Sequence, residues 1–285
     1  MTPTRTPSPE RRSAGTTGWC SPTRALASLE LQEGAYRVRF ARSDADLDAL
    51  LRLRFAIFNE ELGEGLESSW ETGRDEDAFD RVCDHLMLEH VASGELVGTY
   101  RMQTARMAAD GIGFYCAQEF DLSSLTEDDL ATSIELGRAC ISETHRNGTA
   151  LYALWRGLAV YLTWTGTTKL FGCCSLTSQD PREGMAMLRH LESRGKLSTE
   201  VHVEPLPGFT CTPDPDDERP LPPVDVPRLF GTYLRYGALA CGPPAIDRAF
   251  RTIDFFIVLD STKLDPRMRA MFFLNLPRPP AADPA

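Results

Sequence analysis

A short basic turn is the part of the chain whose residue types and spacing point most directly to chemistry. It consists of Arg146, Asn147, Gly148 and Thr149. An apolar run over residues 134–141 precedes the turn and predicts a buried strand. A helix is predicted after it, because apolar residues recur near helical spacing at Leu151, Leu154, Leu158, Val160 and Leu162.

A turn between a strand and a helix can bind a phosphate group. Gly148 lets backbone N–H groups approach an anion closely, the helix directs its positive dipole end at the same point, and Arg146 adds a charge. We therefore expect a site for the phosphate of phosphopantetheine or for a pyrophosphate. The alternative is a plain turn in which Arg146 only interacts with solvent.

The remaining elements follow from the apolar pattern. Strands are predicted at 36–41, 169–177 and 251–260, a hairpin at 86–102, and helices at 47–58 and 181–195. Residues 60–80 are acidic and lack a clear period, which predicts a mobile loop near an entrance. Eight prolines in residues 204–228 exclude a central strand there and predict a surface excursion.

Composition limits the classes of function. The net charge of −11 argues against sequence-independent nucleic-acid binding. The chain has no run of 18 apolar residues and no signal-peptide core, so we expect a cytoplasmic protein. Eight cysteines without C-x-x-C spacing predict free thiols, and His85 and His90, five apart on one strand, do not suggest a metal site.

A series of partial motifs carries a family resemblance. They lie at residues 54–62, 83–86, 98–102, 133–159, 178–181, 236–238 and 253–256. Over about residues 35–262 the sequence resembles the GNAT-related N-acyltransferases of the ornithine-lipid type, whose relatives include acyl-homoserine-lactone synthases. The resemblance implies an α+β GNAT-like fold, a mixed central sheet flanked by helices. We expect a disordered tail at 1–34, one domain at 35–262 and a C-terminal tail at 263–285.

The family pattern also implies catalytic residues. Glu135 and Arg138 match its acid and arginine on the central strand, and Glu135 is expected to orient the amine and take its proton. Residues three apart on a strand face opposite ways unless a bulge intervenes, which Gly137 could supply. Arg101 and Arg54 are expected to shape the cleft with Arg138. The alternatives are a self-contained Glu135–Arg138 ion pair and structural salt bridges to Asp80, Asp84 or Glu135.

The same resemblance supplies the substrates. A long-chain acyl group, with or without a 3-hydroxyl group, is expected to move from an acyl carrier protein thioester to an amino acid, with ornithine as the leading acceptor. Phe114 and Phe120 would line the acyl chain, and Asp247 and Asp254 would hold the acceptor. The turn is shorter than the usual acetyl-CoA loop, so acyl-CoA stays open as the donor. No permanently bound cofactor is expected.

Three other readings remain open. The enzyme could be a homoserine-lactone-type synthase or a CoA-dependent acetyltransferase, and the chain could be a non-catalytic carrier-binding or lipid-binding module. Residues 267–274 are basic at one end and apolar at the other. They are a candidate for peripheral contact with a membrane, and packing on the core is the alternative.

Overall fold

A nine-stranded mixed sheet forms the centre of the molecule. The computed structural model describes Trp19, residues 21–23 and residues 28–277. The strands are β1 (Glu30–Glu33), β2 (Tyr36–Phe40), β3 (Asp84–His90), β4 (Glu95–Thr104), β5 (Phe120–Asp121), β6 (Ser133–Ile141), β7 (Lys169–Leu176), β8 (Glu204–Pro205), β9 (Leu239–Ala240), β10 (Ala245–Asp247) and β11 (Thr252–Asp260). Their order is β1-β2-β3-β4-β6-β7-β11-β10, with β9 also on β11, while β5 and β8 form a separate ribbon.

Eight α-helices accompany the strands in the described residues. They are α1 (Asp44–Phe55), α2 (Ser69–Thr72), α3 (Ala105–Asp110), α4 (Glu127–Ala131), α5 (Gly148–Thr165), α6 (Pro181–Ser193), α7 (Arg228–Arg235) and α8 (Pro266–Phe273). A π-helical segment, Ala56–Glu61, continues α1. None of the helices in this part of the chain combines the length and the apolar character needed to cross a bilayer.

Helix α5 is the main support of the sheet. Asn147 caps its start by accepting a hydrogen bond from the N–H of Ala150, and left-handed Gly166 ends it. Gly157 allows close approach, because a Cβ there would lie 2.7 Å from Val38 and 2.8 Å from Leu86. The main apolar core therefore forms between α5 and the sheet.

A second apolar cluster covers the opposite face of β7 and β11. Phe171 and Phe256 belong to it, whereas their neighbours Leu170 and Phe255 belong to the main core. This division follows from the alternation of side chains along a strand. The sheet consequently has one face against α5 and another against the segment that carries Phe120.

Most predicted elements are present, and three predictions for the flanking segments differ from the structure. The N-terminal tail was expected to reach residue 34, but Glu30–Glu33 pairs with β2 because Leu31 packs against the core. Residues 263–277 include α8, whose Phe272 is buried. The expected loop at 60–80 contains helical turns and the fully buried Asp75. Residues 1–18, 20, 24–27 and 278–285 lie outside the described residues.

Candidate active site

Strands β6 and β7 diverge at the centre of the sheet. They pair in parallel from Ser133–Lys169 to Glu135–Phe171, after which β6 continues against β4 and β7 continues against β11. Residues 136–139 are only half-buried although they lie in a central strand. We call this opening the fork. It leaves strand edges on which an extended ligand could form backbone hydrogen bonds.

A β-bulge places Arg138 at the fork. Two residues of β6, Arg138 and Ala139, oppose the single Tyr100 of β4. Arg138 has a φ of 50°, a left-handed conformation that is unfavourable for a residue other than glycine. The bulge predicted near Gly137 is thus present one residue later, and it changes the direction in which Arg138 points.

The three arginines predicted for the cleft meet around three aspartates. The buried Arg54 donates to Asp75 at 2.7 Å and to Asp80 at 2.6 Å. Arg101 donates to Asp77 at 2.6 Å and to Asp80 at 3.0 Å. The Arg54 and Arg101 charges hold the pKa of Asp80 well below its usual range despite burial.

Most of these ion pairs have a structural role. Arg54 has no exposed surface and is fully occupied by its aspartates, as the salt-bridge alternative anticipated for Asp80. Asp84, the other aspartate considered, accepts hydrogen bonds from Ser21, Thr23 and Tyr161 instead. Arg54 and Arg101 therefore stabilise the wall of the site.

Arg138 differs from the other two arginines because part of its guanidinium is free. Its Nε lies 3.6 Å from Asp75 and its Nη2 lies 3.7 Å from Asp77, too far for hydrogen bonds. Neither nitrogen has a hydrogen-bond partner in the described residues. The guanidinium lies over the ring of Phe250 at 4.0 Å. Both nitrogens are buried beside these aspartates, so an anionic ligand would reach Arg138 through the exposed part of its side chain, which is 13% of the whole.

Glu135 lies on the central strand β6, as predicted, and backbone groups hold its carboxylate. Its carboxylate accepts hydrogen bonds from the backbone N–H groups of Tyr115 at 2.9 Å and Cys116 at 2.7 Å. Burial raises its pKa, although these two bonds oppose the shift. The alternative of a Glu135–Arg138 ion pair is not present. Glu135 borders a small cavity with Arg101 and Tyr115, and its first role is to position the turn at Cys116.

The predicted phosphate turn is exposed at the start of α5. Arg146 forms a bidentate ion pair with Glu61 and donates to the carbonyl of Ile141 at 2.8 Å. The positive charge of Arg146 is therefore paired with the carboxylate of Glu61. The backbone N–H groups of Gly148 and Thr149 have no partner among the described residues, so they are the groups an anion would meet first.

A carboxyl group at the fork was missed by the sequence reading. Glu64 is half-buried and accepts a hydrogen bond from Thr177, which follows β7. Burial raises its pKa, with the charge of Asp254 acting in the same direction and that of Arg138 opposing it. The sequence around Glu64 lacks any period, so it offered no signal.

Asp247 and Asp254, predicted to hold the acceptor, lie together with a third acidic residue, Glu119. Oxygen atoms of the three buried side chains lie within 4.8 Å of one another. Burial, together with the charges of Asp254 and Asp247, raises the pKa of Glu119 to about 10. We call these residues the acid pocket. No metal site was expected from the histidines, and Glu119 was not among the residues predicted from the sequence.

Phe114 and Phe120, predicted to line the acyl chain, lie in the second apolar cluster. Phe114 packs edge-on against Phe171 at 5.1 Å, and Phe120 contacts Phe256 at 5.8 Å. Phe120 is fully buried and Phe114 is half-buried. The thiols of Cys116 and Cys173 meet in the same region at 3.5 Å. The seven described cysteines are all free.

Comparisons with known proteins agree with this arrangement. A family model described as an acetyltransferase (GNAT) domain matches residues 53–156. The L-ornithine N(alpha)-acyltransferase of Brucella abortus (strain 2308) is 32% identical over 248 residues, which cover 82% of this chain and 87% of that protein. The chain belongs to the L-ornithine N(alpha)-acyltransferase family. The family member of Rhizobium meliloti (strain 1021) is also 32% identical, covering 80% of this chain and 81% of its own length.

A solved structure gives a further comparison. The crystal structure of the AHL synthase LasI covers 84% of this acyltransferase and 94% of LasI, with a TM-score of 0.45 and 11% identity.

Membership of the family confirms the predicted α+β GNAT-like fold and the assignment as an N-acyltransferase. The reading as a non-catalytic module is thereby set aside. The matched segment of the acyltransferase includes Arg54, Arg101, Glu135 and Arg138, together with the turn at the start of α5. The roles of these individual residues stay predictions.

Proposed function

We propose that this chain transfers a long-chain fatty acyl group from the thioester of acyl carrier protein to the α-amine of ornithine. One observation carries the proposal. At the fork, the partly exposed guanidinium of Arg138 lies in the electrostatic range of Glu64, a carboxyl group with a raised pKa. Such a pair suits an amino acid, which presents a carboxylate to bind and an ammonium that must lose a proton.

The chemistry assigns one task to each group. Arg138 binds the α-carboxylate of ornithine through the exposed part of its guanidinium. Glu64 accepts a proton from the α-ammonium, and the neutral amine then attacks the thioester carbonyl carbon. A C–N bond forms, the C–S bond breaks, and the carrier thiolate leaves and takes up a proton. Backbone N–H groups at the bulge are suited to the oxyanion of the intermediate.

The donor is proposed to enter along the divergent strand edges. Its phosphopantetheine phosphate would meet the N–H groups of Gly148 and Thr149 at the start of α5, with Arg146 nearby. The acyl chain would run toward Phe114 and Phe120 in the second apolar cluster. The choice of acyl carrier protein over CoA, and a 3-hydroxylated chain, come from the family resemblance and belong to the proposal.

Product analysis tests the reaction directly. The purified protein is mixed with acyl carrier protein or CoA carrying acyl chains of graded length, with and without a 3-hydroxyl group, and with ornithine. Mass spectrometry should detect N-acylornithine, formed faster from the carrier protein. An acyl-homoserine lactone formed from S-adenosylmethionine, or acetyl transfer from acetyl-CoA with no long-chain product, would refute the proposal in favour of the other enzyme classes.

The role of Glu64 is tested by Glu64→Gln, with the exposed Glu60→Gln as a matched control. Loss of a general base should lower kcat by roughly 100- to 10,000-fold and remove the acidic limb of the pH profile. Glu60→Gln should resemble the wild type. If Glu64→Gln kept the wild-type pH profile, the proton would have to leave by another group, such as Glu135.

We also propose contact with a bilayer surface, because the acylated product is a lipid. On α8, Phe272 packs in the core, whereas Met271 is exposed on the same helix as the exposed Arg267, and the exposed Leu274 follows the helix directly. The wild type should float with vesicles that contain anionic lipid. A Met271→Glu, Leu274→Glu variant should float less, and equal flotation would exclude this surface.

A further inference from the structure

The acid pocket contains a buried carboxylate that the fold itself does not satisfy. Glu119 is 1% exposed, and neither of its carboxylate oxygens has a hydrogen-bond partner in the described residues. A buried carboxyl group without partners is costly, and native proteins rarely retain one without a reason. This unsatisfied group points to a ligand that donates hydrogen bonds.

The two other acids are held in place by the protein. Asp254 accepts hydrogen bonds from the hydroxyl groups of Ser175 and Thr252. Asp247 accepts from the backbone N–H groups of Ala249 at 2.7 Å and Phe250 at 2.9 Å. These donors are neutral. No described lysine, arginine or histidine forms a salt bridge with the acid pocket, so no fixed cation of the described residues favours the ionised form of Glu119.

The acid pocket and the fork are connected through Phe250. The Phe250 ring contacts the Arg138 guanidinium, its ring centroid lies 6.3 Å from that of Tyr115, and its backbone N–H binds Asp247. The charge of Asp254 also acts on Glu64 at the fork. A ligand held by Arg138 at one end can therefore place a second group near the three acids.

We propose that Glu119, Asp247 and Asp254 bind the side-chain ammonium of the acceptor and so select a diamino acid. The inference rests on the proposed function and extends it to specificity. An ammonium offers three N–H donors to three carboxyl groups, one of them wholly free. Glycine, norvaline and other acceptors without the second cation would leave Glu119 unsatisfied, and this penalty produces the discrimination.

An ammonium fits the acid pocket better than a divalent metal ion. Calcium takes six to eight oxygen ligands, and magnesium keeps several waters in octahedral geometry. The hydroxyl and backbone donors on Asp254 and Asp247 already use part of their acceptor capacity. Beyond the hydroxyl groups of Ser175 and Thr252, the neighbours include the thiol of Cys173 and the side chains of the second apolar cluster. Such surroundings suit a ligand that needs few further oxygen atoms.

The test compares ornithine with norvaline, which has the same carbon chain but lacks the δ-amine. The measured quantity is the ratio of kcat/KM for the two acceptors, in the wild type and in Glu119→Gln. Loss of a charge-assisted hydrogen bond should lower the ratio by roughly 10- to 100-fold, mainly through ornithine. Glu127→Gln removes an exposed carboxylate on α4 and should leave the ratio unchanged.

Thermal unfolding gives a second readout that does not depend on turnover. Ornithine should raise the Tm of the wild type more than norvaline does, and this difference should vanish in Glu119→Gln. Without ligand, Glu119→Gln should be at least as stable as the wild type, because glutamine replaces a buried acid whose ionised form is disfavoured by burial and by the charges of Asp254 and Asp247. Asp254→Asn provides a second variant for the same acceptor ratio.

The outcomes separate this inference from the proposed function. The wild type could form N-acylornithine while the ornithine-to-norvaline ratio of kcat/KM stays unchanged in Glu119→Gln and Asp254→Asn. The acid pocket would then not bind the acceptor side chain, and only this inference would be refuted. Loss of activity with EDTA, restored by magnesium or manganese together with a metal-dependent rise in Tm, would overturn it in favour of a metal site. Absence of N-acylornithine from the wild type would refute the proposed function itself.

Discussion

A single methyl group added at Gly172 on β7 should open the fork further. A Cβ at this position would lie 2.3 Å from the carbonyl oxygen of Leu136 on β6 and 3.3 Å from its carbon. Carbon and oxygen atoms that are not bonded keep about 3.3 Å apart, so Gly172→Ala should separate the strands by about 1 Å. The contact would be with backbone atoms of Leu136, so a change of side-chain rotamer could not relieve it.

The separation should affect stability and activity together. Overpacking of this kind costs about 1–3 kcal/mol, which should lower the Tm by roughly 2–12 °C for a chain of this size. Displacement of the site by about 1 Å should reduce kcat/KM by roughly 100-fold. Differential scanning calorimetry and the acyl-transfer assay measure the two effects.

A second glycine provides the matched control. At Gly231 in α7 the nearest atom to an added Cβ is Val226 Cγ1 at 3.6 Å, an ordinary contact. Gly231→Ala should therefore stabilise the protein by up to about 1 kcal/mol, as expected for alanine in a helix, and leave activity unchanged. If Gly172→Ala had wild-type Tm and kcat/KM, the close approach of the strands would have no bearing on the site.

Three further changes test the surroundings of the site. Arg54→Met removes the hydrogen-bonded arginine of the buried Asp75 and one of the two arginines on Asp80, and should cost about 3–5 kcal/mol in urea unfolding. Exposed Arg52→Met should cost at most about 1 kcal/mol; equal losses would contradict the buried-pair argument. Burial lowers the pKa of His85 to about 4, so the folded state binds fewer protons than the unfolded state below pH 6.5. Stability should therefore fall by about 3 kcal/mol as the pH drops from 6.5 to 4, and His85→Gln should flatten the unfolding free energy over that range; an unchanged slope would contradict this. Glu135→Gln places an amide NH2 against a backbone N–H and should cost about 1–3 kcal/mol, with reduced transfer at unchanged carrier binding; full activity would remove Glu135 from the mechanism.

The local elements around the site were predictable because each carries its own pattern. The apolar alternation of β6, the cap at Asn147 and the helical period of α5 lie within one stretch of 33 residues, Ser133 to Thr165. The bulge was also predicted, because Glu135 and Arg138 are three residues apart and would otherwise face opposite sides of the sheet. Interactions within such a stretch depend on spacing that the sequence displays directly.

The contacts that complete the site could not be predicted from spacing. Asp75 and Asp80, which hold Arg54, come from a segment without period, so nothing indicated that it would be buried. Glu119 is separated from Asp254 by more than a hundred residues. Their proximity depends on how the turn at Cys116 packs against β11, which is a tertiary interaction.

The buried thiols have a practical consequence for measuring the reaction. In the proposed reaction each turnover releases the thiol of the acyl donor, which a chromogenic disulfide reagent can capture as it forms. The described cysteines should compete poorly for that reagent, because none is exposed and burial raises the thiol pKa, to about 12 for Cys83 and Cys140. Turnover can therefore be followed continuously by absorbance in the presence of substantial enzyme, which makes even severely impaired variants measurable.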